Sequence, residues 1–319
     1  MIKKPSPAVH FHSVTKKYSG IAVIDQLTFS IPRGSTFGLL GPNGAGKSTS
    51  LKALMGLLSI DDGRIEVFGK DIAELHGTPE SIELRQRIGY VSEVHHVYRW
   101  MTIKQALAFV RKFQPHWNDA VAAELLDLFK LDENKKVSQL SKGMLAKLSL
   151  LLAVSHEPDL LILDEPTSGL DVMTREEFLY GILKTIADKE RTIIFSSHSI
   201  ADVERIADHV GVIKNGKLIV DQSVESIQSR TKRLRAALND DQRPDWIPES
   251  TIWQQMDRRE WELTVRDYSP ELVDQLKHRN GLDAVEVRDL TLEDIFKDYF
   301  RISTNTASLH KEEQSCLTN

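Results

Sequence analysis

Apolar positions along the first two thirds of the chain follow two rhythms. VHFHSVTKKY (9–18) and VIDQLTFSI (23–31) alternate in part and carry β-branched and aromatic residues, which predicts strands. STFGLL (35–40) is a short apolar run ending in a glycine-rich loop, and STSLKALMGLL (48–58) behind that loop has helix-forming composition. IEVFGKDI (65–72) reads as a further strand and turn. From Thr102 onward the pattern predicts helices over 103–113, 119–129 and 145–154. LLIL (160–163) and TIIF (192–195) are continuous apolar runs of buried-strand type, with a helix between them around 174–188. Buried strands alternating with helices predict an α/β fold with a largely parallel sheet.

The pattern changes after the polar, charged stretch 222–240, which reads as a connection. Trp261, Leu263 and Val265 alternate as in a strand. Ser269 and Pro270 start a helix that Asn280-Gly281 stops. AVEV (284–287) is a second strand, and Thr291 with Asp294 opens a last helix through Phe300. The expected organisation is a main domain over 1–225, a small α+β domain of strand–helix–strand–helix type over 226–302, and a polar, disordered tail over 303–319.

Composition narrows the functional classes. A length of 319 residues suits about two domains. Lys and Arg total 41 against 46 Asp and Glu, a net charge of −5, so no overall basic footprint for nucleic acid exists. The single cysteine, Cys316, excludes an internal disulfide framework and a cysteine zinc site. The longest apolar stretch, LSLLLAV (148–154), falls far short of the roughly 18 residues of a spanning helix, and MIKKPSP at the start lacks the apolar core of a secretory signal. A cytoplasmic chain is expected, one that reaches a membrane only by docking onto another protein.

The chemistry concentrates in three places. GPNGAGKST (Gly41, Pro42, Asn43, Gly44, Ala45, Gly46, Lys47, Ser48, Thr49) matches G-x-x-x-x-G-K-[ST] between a strand and a helix. Its glycines let backbone N–H groups curl around phosphate oxygens, and the helix N-terminus adds partial positive charge. Lys47 is placed for β- and γ-phosphates, and the Ser48 hydroxyl for Mg²⁺. LLILDE (160–165) is a buried strand ending in two carboxylates. On its own this is also how a strand end with two solvated acids looks. Behind a phosphate loop, Asp164 suits a metal and Glu165 a base for water. TIIFSSH (192–198) ends a third buried strand in His198. A lone histidine there is more often structural, but if the three strands are parallel their carboxyl ends gather Lys47, Asp164, Glu165 and His198 on one edge. His10-x-His12 and His95-His96 read as surface or packing residues, since no cysteine or acidic cluster accompanies them in sequence.

With these motifs in order, residues 8–225 resemble the ATP-binding subunits of ABC transporters. GPNGAGKST is similar to the Walker A loop, LLILDEP to Walker B, SGLD (168–171) to the D-loop, His198 to the switch histidine, and SKGM (141–144) to the signature. Tyr18 resembles the upstream aromatic that stacks on adenine. GTPases share the phosphate loop, but no guanine motif is present: NKKV (134–137) fails at its last position. The resemblance implies a P-loop ATPase with a helical subdomain near 95–155 and ATP and Mg²⁺ as ligands. It also implies head-to-tail pairing with a second ATPase subunit, identical or a sister chain. Ser141 and Gly143 of one chain would then complete the site of the other, and Asp171 of the D-loop would be a further nucleotide-binding residue. A separate polytopic permease on the inner face of the membrane would dock near HHVYRWM (95–101), where Tyr98 and Trp100 are either core or interface residues.

Two departures stand out. LSKGM replaces the usual LSGGQ; Ser141 and Gly143 persist, and the added Lys142 side chain is expected to face solvent or permease rather than phosphate. The Q-loop position is Glu93 in YVSE, whose carboxylate can approach Mg²⁺ directly or through water. Similar glutamate-bearing loops occur in bacterial export ATPases with a separate membrane subunit. The C-terminal unit resembles an accessory domain of some such ATPases. The expected function is an ATP-hydrolysing transport subunit, of export type. The rivals are a soluble ATPase of the same fold and a nucleotide-dependent regulator that does not hydrolyse.

Overall fold

The structure, a computed structural model, describes residues 6–187, 191–238 and 244–301. The tail expected to be disordered, with Cys316, lies outside them. The chain divides into two compact units, Met1–Gln222 and Ser223–Asn319.

In chain order the first unit comprises β1 (Val9–Tyr18), β2 (Ile21–Ile31), β3 (Thr36–Leu40), α1 (Lys47–Leu54), β4 (Asp62–Val67), β5 (Lys70–Asp71), α2 (Pro79–Gln86) and β6 (Ile88–Val91). Then follow α3 (Ile103–Arg111), α4 (Asp119–Leu128), α5 (Lys142–Val154), β7 (Leu160–Leu163), α6 (Val172–Ala187), β8 (Thr192–Ser197), α7 (Ile200–Ile206), β9 (His209–Lys214) and β10 (Lys217–Ser223). β2-β1-β4-β5 form an antiparallel sheet. The second sheet has the order β10-β9-β3-β8-β7-β6, and β9, β3, β8, β7 and β6 run parallel. Leu39, Leu160, Ile162 and Ile194 of this sheet share one core with Leu51 and Leu54 of α1 and with Phe11 and Phe29 of the other. There Phe11, Phe29 and Phe37 stack at centroid distances of 4.5 and 5.3 Å. Each such fully buried side chain contributes about 1.5–3 kcal/mol. The parallel register brings Leu40, Leu163 and Ser197 to one edge, so the loops after β3, β7 and β8 emerge together.

The helical segment starts where the sequence signals it. Thr102 and Gln105 form a reciprocal capping box on α3, and Asn118 caps α4 through Ala120 N and Val121 N. Ser141 caps α5 by accepting from Met144 N at 3.2 Å. Leu148, Leu150 and Leu151 of α5 are fully buried.

The second unit departs from the sequence reading. Residues 222–240 are not a mere connection: they hold α8 (Val224–Arg230), capped by Ser223, and β11 (Lys232–Ala237). β12 (Thr251–Asp257) and β13 (Glu260–Val265) follow, then α9 (Pro270–Asn280), β14 (Val285–Asp289) and a helix over 292–301. The sheet order is β12-β13-β11-β14, so β11 is an interior strand. The reason is physical. Leu234 and Ala236 turn inward at strand spacing, while Lys232, Arg233 and Arg235 keep their charges paired with Asp289, Asp298, Glu260 and Glu262. Two apolar residues among cations hide the alternation. β12 escapes for a similar reason, since Ile252 is its one buried side chain.

Candidate functional site

The loop between β3 and α1 is held by close backbone packing. A Cβ on Gly41 would stand 2.4 Å from the Ile213 carbonyl oxygen, and Gly46 enters the helix at φ 109° with a Cβ position 2.7 Å from the Val23 carbonyl oxygen. Neither position admits a side chain without moving backbone. α1 then starts at Lys47, and its first N–H groups face the loop.

Lys47 is buried. Its Nζ donates to Gly41 O at 2.7 Å and Pro42 O at 3.2 Å, and lies 3.0 Å from Glu165 Oε1. The Lys47–Glu165 contact is an ion pair without hydrogen-bond alignment, because Glu165 Oε1 accepts no hydrogen bond. Glu165 sits past the end of β7 with φ 47°, the left-handed region that a non-glycine residue occupies only at a cost. Its Oε2 lies 2.7 Å from His198 Nδ1 beyond β8. The carboxylate is thus clamped between a buried ammonium and an imidazole.

Asp164, 1% exposed, accepts from Ser48 Oγ at 2.8 Å and from Ser196 Oγ at 2.8 Å. Ser196 also accepts from Glu165 N at 2.8 Å. One hydroxyl therefore fixes both the carboxylate of Asp164 and the backbone of Glu165. Nearby, burial and the Asp164 charge push the Tyr90 hydroxyl up to about 12, so it stays a neutral donor.

Lys47, Ser48, Glu165 and His198 line a cavity of about 290 Å³ with Val23, Asn43, Gly44, Ala45, Gly46, Thr49, Glu93 and Ser168. Of the residues singled out from sequence, it gathers the phosphate loop from Asn43 to Thr49, Glu93, Glu165 and His198. Asp164 lies directly beneath through Ser48, and Gly41 and Pro42 act through the carbonyls that hold Lys47. The donors around Ser48 and Asp164 are hydroxyl and carboxylate oxygens, and Glu93 lines the same cavity. This hard, all-oxygen set suits Mg²⁺.

Tyr18, Ser141, Gly143 and Asp171 do not line that cavity. Tyr18 is half exposed at the end of β1, with Lys16 Nζ 5.6 Å from its ring centroid. Asp171 receives Thr174 N at 2.9 Å and Thr174 Oγ1 at 2.7 Å, which hold its carboxyl below the usual range. Gly143 packs on the same threonine: a Cβ there would meet Thr174 Cγ2 at 2.3 Å. The SKGM segment and the segment before α6 are thereby joined. Lys142 is exposed, but its Nζ overhangs Gly169, 2.5 Å from where a Cβ would stand. Tyr98 and Trp100 prove to be surface residues, 55% and 67% exposed, continuing through ring contacts to Phe109 and Phe113.

Sequence reasoning misses Ser196 and a brace around Asp202. Buried Asp202 accepts from Thr167 Oγ1 at 2.7 Å and Arg175 Nε at 2.6 Å, while Arg175 also reaches Ser199. This ties the segment after Glu165 to the one after His198. The available signal was the hydroxyl pair Ser196-Ser197 closing an otherwise apolar strand.

Comparison with known proteins agrees with this geometry. The ABC transporter family model matches residues 24–168. The chain is 32% identical over 298 residues to the bacitracin transport ATP-binding protein BcrA of Bacillus licheniformis, covering 90% of this chain and 94% of that protein. It is 36% identical over 219 residues to the Nod factor export ATP-binding protein I of Burkholderia orbicola, covering 67% and 70%. A solved ATP-binding subunit of an ABC transporter superposes with a TM-score of 0.62 at 27% identity, over 70% of this chain and 92% of that one. The chain belongs to the ATP-binding subunits of ABC transporters, P-loop ATPases that bind and hydrolyse ATP.

Proposed function

We propose that this chain drives an export complex, with Lys47, Glu165 and His198 as its hydrolytic centre. The observation that carries the reading is the Glu165 carboxylate, held within 3.0 Å of Lys47 and 2.7 Å of His198 above the phosphate loop. Lys47 and the loop N–H groups hold the β- and γ-phosphates. Glu165 orients and polarises the attacking water, and the reaction is phosphoryl transfer, accelerated by positioning and charge neutralisation. His198 holds Glu165 in place and is positioned to sense the γ-phosphate. Ser48, Asp164 and Glu93 would hold Mg²⁺, which supplies charge neutralisation on the phosphate oxygens when bound.

Ser141, Gly143 and Asp171 stand apart from the lining of their own chain's cavity. That supports a head-to-tail pair in which they complete the partner's site. The exposed Tyr98–Trp100–Phe109–Phe113 ridge supports docking of a separate polytopic permease, which would hold the chain at the inner face of the membrane. No helix among the described residues is long and apolar enough to cross a membrane itself. The Nod factor export relative supports export as the direction. The two compact units support a division into an ATPase domain and a small accessory domain.

Glu165→Gln tests the reading. It keeps the shape and removes the charge, so ATP binding should persist while phosphate release falls by about 10²-fold or more and an ATP-bound dimer accumulates. Unchanged turnover removes Glu165 from the role.

A further inference from the structure

His10 and His12 lie two residues apart on β1, so their side chains leave the same face of the sheet. Val9 and Phe11 take the opposite, core face. β4 runs antiparallel alongside, pairing His10 with Glu66 and His12 with Arg64. The pairing brings an acidic residue onto two imidazoles, the partner that sequence order conceals. His12 Nε2 stands 3.4 Å from Glu66 Oε1, and the two imidazole centroids are 3.6 Å apart. One ligand atom from each of the three residues falls within 4.8 Å of the others, and no other such trio of His, Cys, Asp or Glu occurs among the described residues. His12 Nε2 is shielded from solvent and has no hydrogen-bond partner.

We infer that His10, His12 and Glu66 form a binding site for one divalent transition-metal ion of the Zn²⁺ class. Zn²⁺ takes imidazole nitrogen and carboxylate oxygen at about 2.0–2.2 Å in a tetrahedron, which puts neighbouring ligand atoms roughly 3.4 Å apart. The His12–Glu66 separation already has that value. Three protein donors leave a fourth position for water. Two nitrogen donors separate this site from the all-oxygen set beside the phosphate loop and select against Mg²⁺. Arg64 Nε, 3.3 Å from Glu66 Oε1, competes for the same oxygen. A bound ion would cross-link β1 to β4 and stabilise the folded chain by mass action.

The test uses the untagged full chain without nucleotide, titrated with Zn²⁺ alone by calorimetry and with Co²⁺ alone by visible absorption. The site predicts one equivalent bound, a four-coordinate Co²⁺ spectrum, and a rise in melting temperature with Zn²⁺. His12→Asn and Glu66→Gln should each weaken binding by at least about tenfold and abolish the melting shift, with metal-free melting and ATPase activity kept. Should His12→Asn fail to fold, Glu66→Gln at the partly exposed position decides alone. Arg64→Gln removes the competing cation and should tighten binding several-fold. Absence of stoichiometric binding overturns the site. So does unchanged affinity in the ligand variants, or a loss in Arg64→Gln as large as theirs.

Discussion

Ser196→Ala probes the least visible part of the site. The Ser196 hydroxyl is fully buried, accepts from Glu165 N and donates to Asp164 Oδ1, both at 2.8 Å. The alanine variant leaves a buried N–H without a partner, at about 1–3 kcal/mol. It also deletes a bond to an ionised carboxylate, worth about 1.5–3 kcal/mol. The two losses share one group and are not additive, so a stability loss of about 3 kcal/mol is expected. At about 2–4 °C per kcal/mol for a domain of this size, melting should fall by about 6–12 °C. The kinetic effect follows from the backbone of Glu165, held at φ 47°. With its N–H released, that strained turn relaxes and the carboxylate loses its fixed aim. Loss of one charge-assisted bond's worth of positioning corresponds to about 10- to 150-fold in kcat. ATP affinity, which the proposed function assigns to Lys47 and the loop, should change by less than about threefold. Phosphate release, nucleotide titration and thermal melting measure all three. Ser155→Ala is the matched control: an equally buried hydroxyl that donates to Leu151 O at 2.7 Å. It should lose about 1 kcal/mol of stability and none of kcat. A Ser196→Ala protein with kcat within twofold of wild type refutes the positioning argument, whatever its melting temperature.

Lys47→Ala should weaken ATP binding by at least about tenfold and abolish turnover with circular dichroism unchanged; wild-type affinity in a nucleotide titration contradicts it. Ser141→Arg should leave ATP binding by the single chain intact but block ATP-dependent dimerisation in sedimentation, best read in a Glu165→Gln background; surviving dimers sink the shared-site model. Gly143→Ala forces a methyl against the branched Cγ2 of Thr174 and should cost about 1–3 kcal/mol by denaturant titration, relieved by Thr174→Ser. His156 is buried, and burial holds its imidazole below the ordinary range. Between the folded pKa and about 6.5 the unfolded chain therefore binds the extra proton, so this stabilisation is whole above about 6.5 and drains away as pH falls through the folded value. His156→Gln should flatten the fall of melting temperature between neutral and mildly acidic pH, and an unchanged slope contradicts it.

How much of this is legible in the chain depends on whether a feature is local. The phosphate loop is a single run, and LLIL (160–163) and TIIF (192–195) are continuous runs of buried-strand type, so α/β architecture and the common edge follow without knowledge of distant contacts. Helix starts at Thr102 and Asn118 are readable for the same reason, because a cap acts over three residues. β11 is not readable. Its inward residues, Leu234 and Ala236, supply little apolar signal, and the partners that neutralise Arg233 and Arg235 come from elsewhere in the unit. Ser196 and Asp202 escape likewise: a serine in a strand and an aspartate in a short helix are ordinary until β7 and β8 align in register. The histidines of β1 make the point most sharply. Read along the chain they lack an acidic companion; read across the β1–β4 pairing, Glu66 stands opposite His10. Parallel strands gather the phosphate chemistry at their ends, whereas antiparallel pairing assembles donors across a sheet face, where only register brings them together.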